Sequence, residues 1–326
     1  MKTKILYRLA IAIAFTGVLY ACKKSSSSSS TTTTTADMSV QTDDESRVSN
    51  ETDAVTVDAN TAMLSQSSVS GASVSPVGRY GVTTDGGGAD SAAICDATIT
   101  VDTANSTKTI TITYNGSTCN LTRTRTGTVV ISIPAGTRWS EQGAVVTLSI
   151  QNLKITRLID NKTITLNGTH TYTNVSGGSL ANLPNLQSIT HTVTSSNMQI
   201  TFDDGTQRTW QLARQHVFTY SNNAAVISTT GTHSDGTHSG VSEWGTTRFG
   251  ISFVTEISEP LVIAEGCAFR LTSGQVTFIR PDITATLTFG LDSAGIAAGC
   301  PLTGSFYYEA VWMGANGKSV TVIAPY

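Results

Sequence analysis

The chain has 326 residues, 39% of them apolar and 13% charged, with a formal net charge of −3. That length and apolar content suffice for a sizeable core, in one large domain or two coupled ones. The balance of charge excludes the basic surface that nucleic acid or an anionic membrane would need.

The N-terminus reads as a three-part signal sequence. Lys2, Lys4 and Arg8 form its positive region, and residues 9–19 (LAIAIAFTGVL) form its apolar region. This run is shorter than the roughly 20 residues that span a bilayer core. Leu19-Tyr20-Ala21-Cys22 resembles a bacterial lipobox, so cleavage before Cys22 and lipidation of that cysteine are expected. Multiple acylation anchors stably where one acyl chain is marginal. Lys23, Lys24, six serines and five threonines follow. Such a tract has nothing to bury, so residues 22–41 are expected to be a disordered tether spanning roughly 25 Å as a flexible coil.

Thr42-Asp43-Asp44-Glu45 has the form of a capping box and opens a short amphipathic helix over 42–64. Val48, Thr52, Val55, Ala59 and Ala62 give it one thin apolar stripe, with an acidic side opposite. The expectation is a helix resting on a sheet or standing in solvent. Pro76 and Gly86-Gly87-Gly88 mark residues 65–94 as linker.

From Cys95 the apolar period becomes two and stays there. TITVD, KTITITY, TRTGTVVISI, VVTLSIQNLKI, TITLNGTHTY and TWQLARQHVFTY alternate or nearly so. Asn115-Gly116, Asp204-Gly205 and Asp235-Gly236 are hairpin signals, and short connections imply antiparallel neighbours. The fold class is therefore all-β: a large antiparallel meander or sandwich-like body over 95–326, preceded by one short helix.

Leaving Cys22 aside, Cys95, Cys119, Cys267 and Cys300 are an even set suited to an oxidising compartment. Each of the segments 95–119 and 267–300 reads as strand, turn, strand, loop, cysteine, so the expected pairs are Cys95–Cys119 and Cys267–Cys300. A metal site on these cysteines is disfavoured, because no C-x-x-C occurs.

Candidate chemistry is sparse. In GTHSDGTHSG, a two-residue turn at Asp235-Gly236 would set His233 opposite His238, where two imidazoles make a weak metal site. His170, His191 and His216 each fall on the apolar face of a strand, and hairpin geometry would bring them together as a three-histidine metal site. A slip of alternation near Ser195-Ser196 opposes this, and separate core histidines are the simpler reading. Trp139, after a loop at Pro134-Ala135-Gly136, is the best candidate for a sugar-stacking platform, whereas Trp210 alternates with core-like residues and is read as packing. No G-x-S-x-G elbow is present and no glutamate pair can be nominated for glycoside hydrolysis.

The Cys-Lys-Lys-Ser start, DDESRVSNETDAVTVDANTAM, the strand pair ending in Cys119, and the segments GTHTYTN, ITFDDGTQRTW and ISEPLVIAEGC together resemble a family of envelope lipoproteins from Bacteroidota, β-rich with paired cysteines. The resemblance implies the address and the β class and brings no activity with it. The expectation is a lipid-anchored, non-enzymatic binding or structural module of the outer membrane, on its periplasmic face, without a required cofactor. Its partner would be an envelope protein or glycan. The alternative is a metal-dependent hydrolase built on the strand histidines.

Overall fold

The computed structural model describes residues 35–66, 69, 94–118, 120–300, 304–314 and 317–326. The expected signal peptide, Cys22 and Cys119 lie outside these residues, as does most of the linker. The chain divides into two compact units, 1–32 and 33–326, and every described residue belongs to the second.

Strand accounts for 57% of the structure and helix for 15%, so the chain is all-β with one N-terminal helix. The helix, α1 (Thr35–Leu64), is followed by β1 (Ala97–Asp102), β2 (Lys108–Ser117), β3 (Arg123–Ile133), β4 (Ala144–Arg157) and β5 (Thr163–Asn174). Next come β6 (Ile189–Phe202), β7 (Gln207–Ser221), β8 (Ala224–Gly231), β9 (His233–Ser234) and β10 (Ser239–Thr246). The last five are β11 (Ser252–Ala264), β12 (Arg270–Arg280), β13 (Ile283–Leu291), β14 (Tyr307–Met313) and β15 (Ser319–Pro325).

All pairings are antiparallel and make a single sheet in the order β1 to β7, then β10 to β15. The meander is thus one continuous sheet rather than two stacked ones. Between β7 and β11, one strand position is shared. β10 pairs with the first half of β7 and β8 with the second, and both also pair with β11.

A line of bulges crosses the middle of the sheet. The register shifts at Thr126/Thr128 between β3 and β4, and at Ile150/Leu153 between β4 and β5. It shifts again at Asn167/Thr171 between β5 and β6, and at Ser195/Met198 between β6 and β7. Side chains fill the gaps: Asn167 Oδ1 accepts from the Asn152 amide (2.8 Å), and Asn197 Oδ1 from the Thr169 amide (3.0 Å). Each bulge bends its strand and raises the local twist, so bulges aligned over four neighbouring pairs curl the sheet.

What the sheet curls around is α1. Residues 41–49 are buried in unbroken succession, on every side of the helix, acids included. Side chains from β3, β4, β5, β7 and β11 reach it. This corrects the picture of a helix lying at the surface or in solvent. It also begins at Thr35 rather than Thr42. Thr42 is internal to the helix, its hydroxyl donating to the Ser39 carbonyl (3.2 Å), and Glu45 is taken up by Arg208 instead of closing a capping box. The sequence resembles a cap there because carboxylates needed for tertiary ion pairs happen to fall at capping spacing.

Two hairpin expectations are likewise corrected. Asn115 and Gly116 are inside β2, facing Thr126 and Arg125, and the connection to β3 comes later. Ser234 pairs with Ser239, so the Asp235-Gly236 hairpin has a four-residue loop. There Asp235 Oδ1 accepts from the Thr237 (2.8 Å) and His238 (2.7 Å) amides, which holds the wider turn.

Candidate functional site

The residues singled out from the sequence are mostly interior. The wider loop separates the first histidine pair: His233 faces Val241 instead of His238. His233 stacks on Trp244 with ring centroids 4.0 Å apart, while His238 Nδ1 lies 2.9 Å from Glu256 Oε1. These two contacts send the imidazoles to different neighbours, and the proposed clamp is not formed.

The second set is closer to expectation. His191 and His216 face each other directly across β6 and β7, not on a diagonal. Relative to a two-residue turn at Asp204-Gly205 the strands are shifted by two residues, one from the wider turn, which sets Thr201 opposite Gln207, and one from the bulge at Ser195/Met198. His191 faces Asn174 on β5, so His170, four residues earlier, is not its cross-strand neighbour. All three imidazoles are buried. Tyr172 takes a hydrogen bond from Asn60 of α1 and lies 3.0 Å from His191 Nδ1, and Thr229 Oγ1 lies 3.0 Å from His216 Nδ1. Neither ring nitrogen of His170 has a hydrogen-bond partner among the described residues. Burial pushes His170 and His191 down to about 3 and His216 to about 4, so all three are neutral. Among the described residues no group of three His, Cys, Asp or Glu is arranged to hold a metal.

Trp139 is not a platform. It is 2% exposed and packs between Tyr172 (centroids 5.0 Å) and His191 (4.9 Å), its carbonyl accepting from Asn174 (2.7 Å). The loop before it turns the indole inward under the sheet. Trp210, as read from its alternation, is core.

Sequence reasoning passed over the residues that dominate the interior. Arg208 and Arg214 sit on the inward face of β7, both buried. Glu243 of β10 takes one hydrogen bond from each, 2.6 Å from Arg208 and 2.5 Å from Arg214. Across the interior, Arg208 reaches Glu45 (2.8 Å) and Arg214 reaches Asp53 (2.7 Å), both on α1. Elsewhere on the helix Arg157 binds Asp43 (2.7 Å), Arg248 binds Asp44, and Arg123 binds Glu51 (3.1 Å). Arg125 is forked onto Asp96 by two 2.7 Å bonds and also meets Asp58 at 2.6 Å. The acidic side of α1 is therefore matched by arginines of the sheet. Burial drives the carboxyls of Asp44 and Glu243 up to about 7, against the pull of their arginines. The available signal was parity: positions 208, 210, 212, 214, 216 and 218 share one face, and two arginines on a face carrying Trp, Leu and Phe demand buried acids.

A cleft of ≈110 Å³ opens beside α1, lined among others by Asn50, Asp58, Asp96, Arg123, Arg125 and Arg270. Arg270 donates to the Gly304 carbonyl (2.8 Å) and lies over the Phe306 ring. Burial, and the like charge of Arg123, lower its pKa against the opposing effect of Tyr326. The space takes a small cluster of waters and is well below the roughly 300–1,000 Å³ of ligand pockets.

Cys267 and Cys300 are disulfide-bonded, their Cα atoms 5.2 Å apart, as expected. Cys95 is also in a disulfide, and its expected partner, Cys119, is outside the described residues. Compared with known proteins, the chain matches no family model, no curated protein and no solved structure.

Proposed function

We propose that the chain is a lipid-anchored protein of the cell envelope, non-enzymatic, serving as a binding or structural β-module. The observation that carries this reading is the occupied interior. The sheet curls around the chain's own helix, each described buried acid of which is met by an arginine, so recognition is left to the outer surface. Anchoring follows from Leu19-Tyr20-Ala21-Cys22 and the Ser/Thr tract behind it. The outer membrane is the proposed location, on its periplasmic face, with an envelope protein or glycan as partner. The alternative of a hydrolase with a metal on His170, His191 and His216 has no specific observation in its favour.

The test has two arms. Growth with an alkyne fatty acid should label the wild-type protein and leave a Cys22→Ala variant unlabelled. Crosslinking in cells, followed by capture of the full lipoprotein, should recover a stoichiometric envelope protein or a defined glycan. Equal labelling of the variant would sink the anchor, and recovery of lipid alone would sink the binding role.

A further inference from the structure

We propose that the cleft beside α1 binds one phosphate group in a protonated anionic form, with Arg123 as its main anchor. This goes beyond the envelope-module reading and does not depend on the lipid at Cys22.

Three segments distant in sequence meet at the cleft: the C-terminal half of α1, residues 94–96 with the β2–β3 connection and the start of β3, and the β11–β12 turn. The polar groups of its wall differ in what they already hold. Arg125 is fully engaged, with Nε and Nη2 on Asp96 and Nη1 on Asp58. Asp58 Oδ2 takes a second bond from the Tyr114 hydroxyl (2.8 Å). These contacts brace the wall.

Arg123 is different. Its Nε lies 3.1 Å from Glu51 Oε1, an ion pair, yet none of its guanidinium nitrogens makes a hydrogen bond to the described residues, and Nε is buried. The side chain is only 15% exposed, so its fork is largely withdrawn from water at the cleft wall. Such a fork matches the geometry of an oxyanion. Two amides add donors. Asn120 Oδ1 is occupied by the Thr118 hydroxyl and by the amide and hydroxyl of Thr122, which leaves its Nδ2 to donate. Asn50 also lines the cleft, and its side chain makes no hydrogen bond among the described residues. Arg270 brings a second positive charge, close enough that Arg123 lowers its pKa. An anion bound beside both offsets that repulsion.

One acceptor stands among these donors. Asp58 Oδ1 takes no hydrogen bond from the described residues. A carboxylate oxygen repels a fully ionised anion and accepts from one that keeps a proton. Phosphate keeps a proton at mildly acidic pH, whereas sulfate keeps none. The donors call for an oxyanion, and the acceptor selects phosphate. At ≈110 Å³ the cleft admits such a group and excludes a drug-sized ligand.

The full chain is titrated calorimetrically with sodium phosphate or sodium sulfate at about pH 6, near the second pKa of a phosphate monoester, at constant ionic strength. Expected is saturable binding of one phosphate per chain, with sulfate at least ~10-fold weaker. Asn50→Ala should weaken phosphate about 3-fold to 10-fold, the loss of one neutral hydrogen bond. Arg123→Gln combined with Glu51→Gln removes the fork together with its ion-pair partner and should weaken phosphate about 10-fold to 100-fold. Asn50→Ala has no hydrogen bond to lose among the described residues and favours helix, so it serves where the double variant does not fold. Glycerol phosphate binding as tightly as the free ion assigns the site to a terminal monoester, and binding of inorganic phosphate alone assigns it to the free ion; either supports the proposal. It is overturned by the absence of saturable phosphate binding or by equal affinity for sulfate. Unchanged phosphate affinity in the double variant, or in Asn50→Ala where the double variant does not fold, overturns it as well.

Discussion

Arg208 and Arg214 share their face of β7 with Trp210, Leu212, His216 and Phe218, and the two guanidiniums hold one carboxylate between them. Desolvating three charges is expensive, so the arrangement is worth little against an apolar core but much against its own fragments. Glu243→Ala should cost about 3–5 kcal/mol in urea unfolding, because both arginines keep their burial and lose a shared partner. Glu256→Ala, at the half-exposed His238 contact, should stay within about 1 kcal/mol. Equal costs would mean that the interior charges are solvated. His170 gives a second prediction, about pH. Its folded pKa, about 3, lies below the ordinary value of 6.5, so the unfolded chain takes a proton that the folded one refuses. The contribution is complete above pH 6.5 and is lost as pH falls towards 3, by up to ~1.4 kcal/mol per pH unit. Asp44, raised to about 7, acts with the opposite sign in that window, so the difference between proteins is the quantity to measure. Between about pH 6 and pH 4, His170→Leu should lose some 2 kcal/mol less stability than wild type. It strands no partner among the described residues, where neither ring nitrogen has one. Parallel pH profiles would show that this imidazole is protonated in the folded state.

At the scale of elements, the bulges explain why strands that read well singly were misjudged in pairs. Period-two alternation revealed β2 to β7, and the turn signal at Asp204-Gly205 revealed a hairpin. The histidine register still came out wrong, because the turn at Asp204-Gly205 is one residue wider than its dipeptide implies and an extra residue at Ser195–Met198 leaves no mark beyond a lapse in alternation. The helix was legible as a helix from Val48, Val55, Ala59 and Ala62. Its full extent and burial were not. Residues 35–41 carry little apolar periodicity, and the partners of its acids are arginines far along the chain, such as Arg208 and Arg248, whose contacts are purely tertiary. Gly127 makes the role of the bulge line measurable. Its φ is +121°, and a Cβ there would meet the Asn152 carbonyl oxygen at 2.3 Å. Gly127→Ala should therefore destabilise by roughly 2–4 kcal/mol, combining an unsuitable backbone angle with a clash against backbone. Gly136→Ala is the control: its φ is +77°, but nothing lies within 4 Å of the added carbon, so only the ~1 kcal/mol of conformational cost applies. If both cost the same, β3 and β4 do not approach as closely as the fold requires.

For the whole molecule, the stability of the curled sheet depends on what fastens the later strands. The Cys267–Cys300 bond joins the β11–β12 turn to the loop after β13, across the hairpin that Pro281-Asp282 closes. This pairing was readable because the bracketed strands and turn are contiguous in sequence, whereas the wrapping of the sheet around α1 depends on contacts that span the chain. The bond also sits beside the polar cleft, where Ala268 and Phe269 hold left-handed φ values of +54° and +53°. With cysteines 33 residues apart, the chain-entropy account gives it about 4 kcal/mol. The β12–β13 ladder from Gly274 opposite Phe289 to Arg280 opposite Ile283 does not need the bond to pair. Cys267→Ser with Cys300→Ser should accordingly keep the far-UV signature of the sheet at room temperature while its unfolding free energy falls by about 4 kcal/mol. Limited proteolysis should also cut faster between Leu291 and Cys300, a segment of turns and single bridges with little to hold it once released. A loss under ~1 kcal/mol with unchanged cleavage would mean that packing of Phe289, Phe306 and Tyr326, where Tyr326 meets Phe289 edge-on and stacks on Phe306, already fastens the last strands. The disulfide would then be a chemical lock on an end that is already shut.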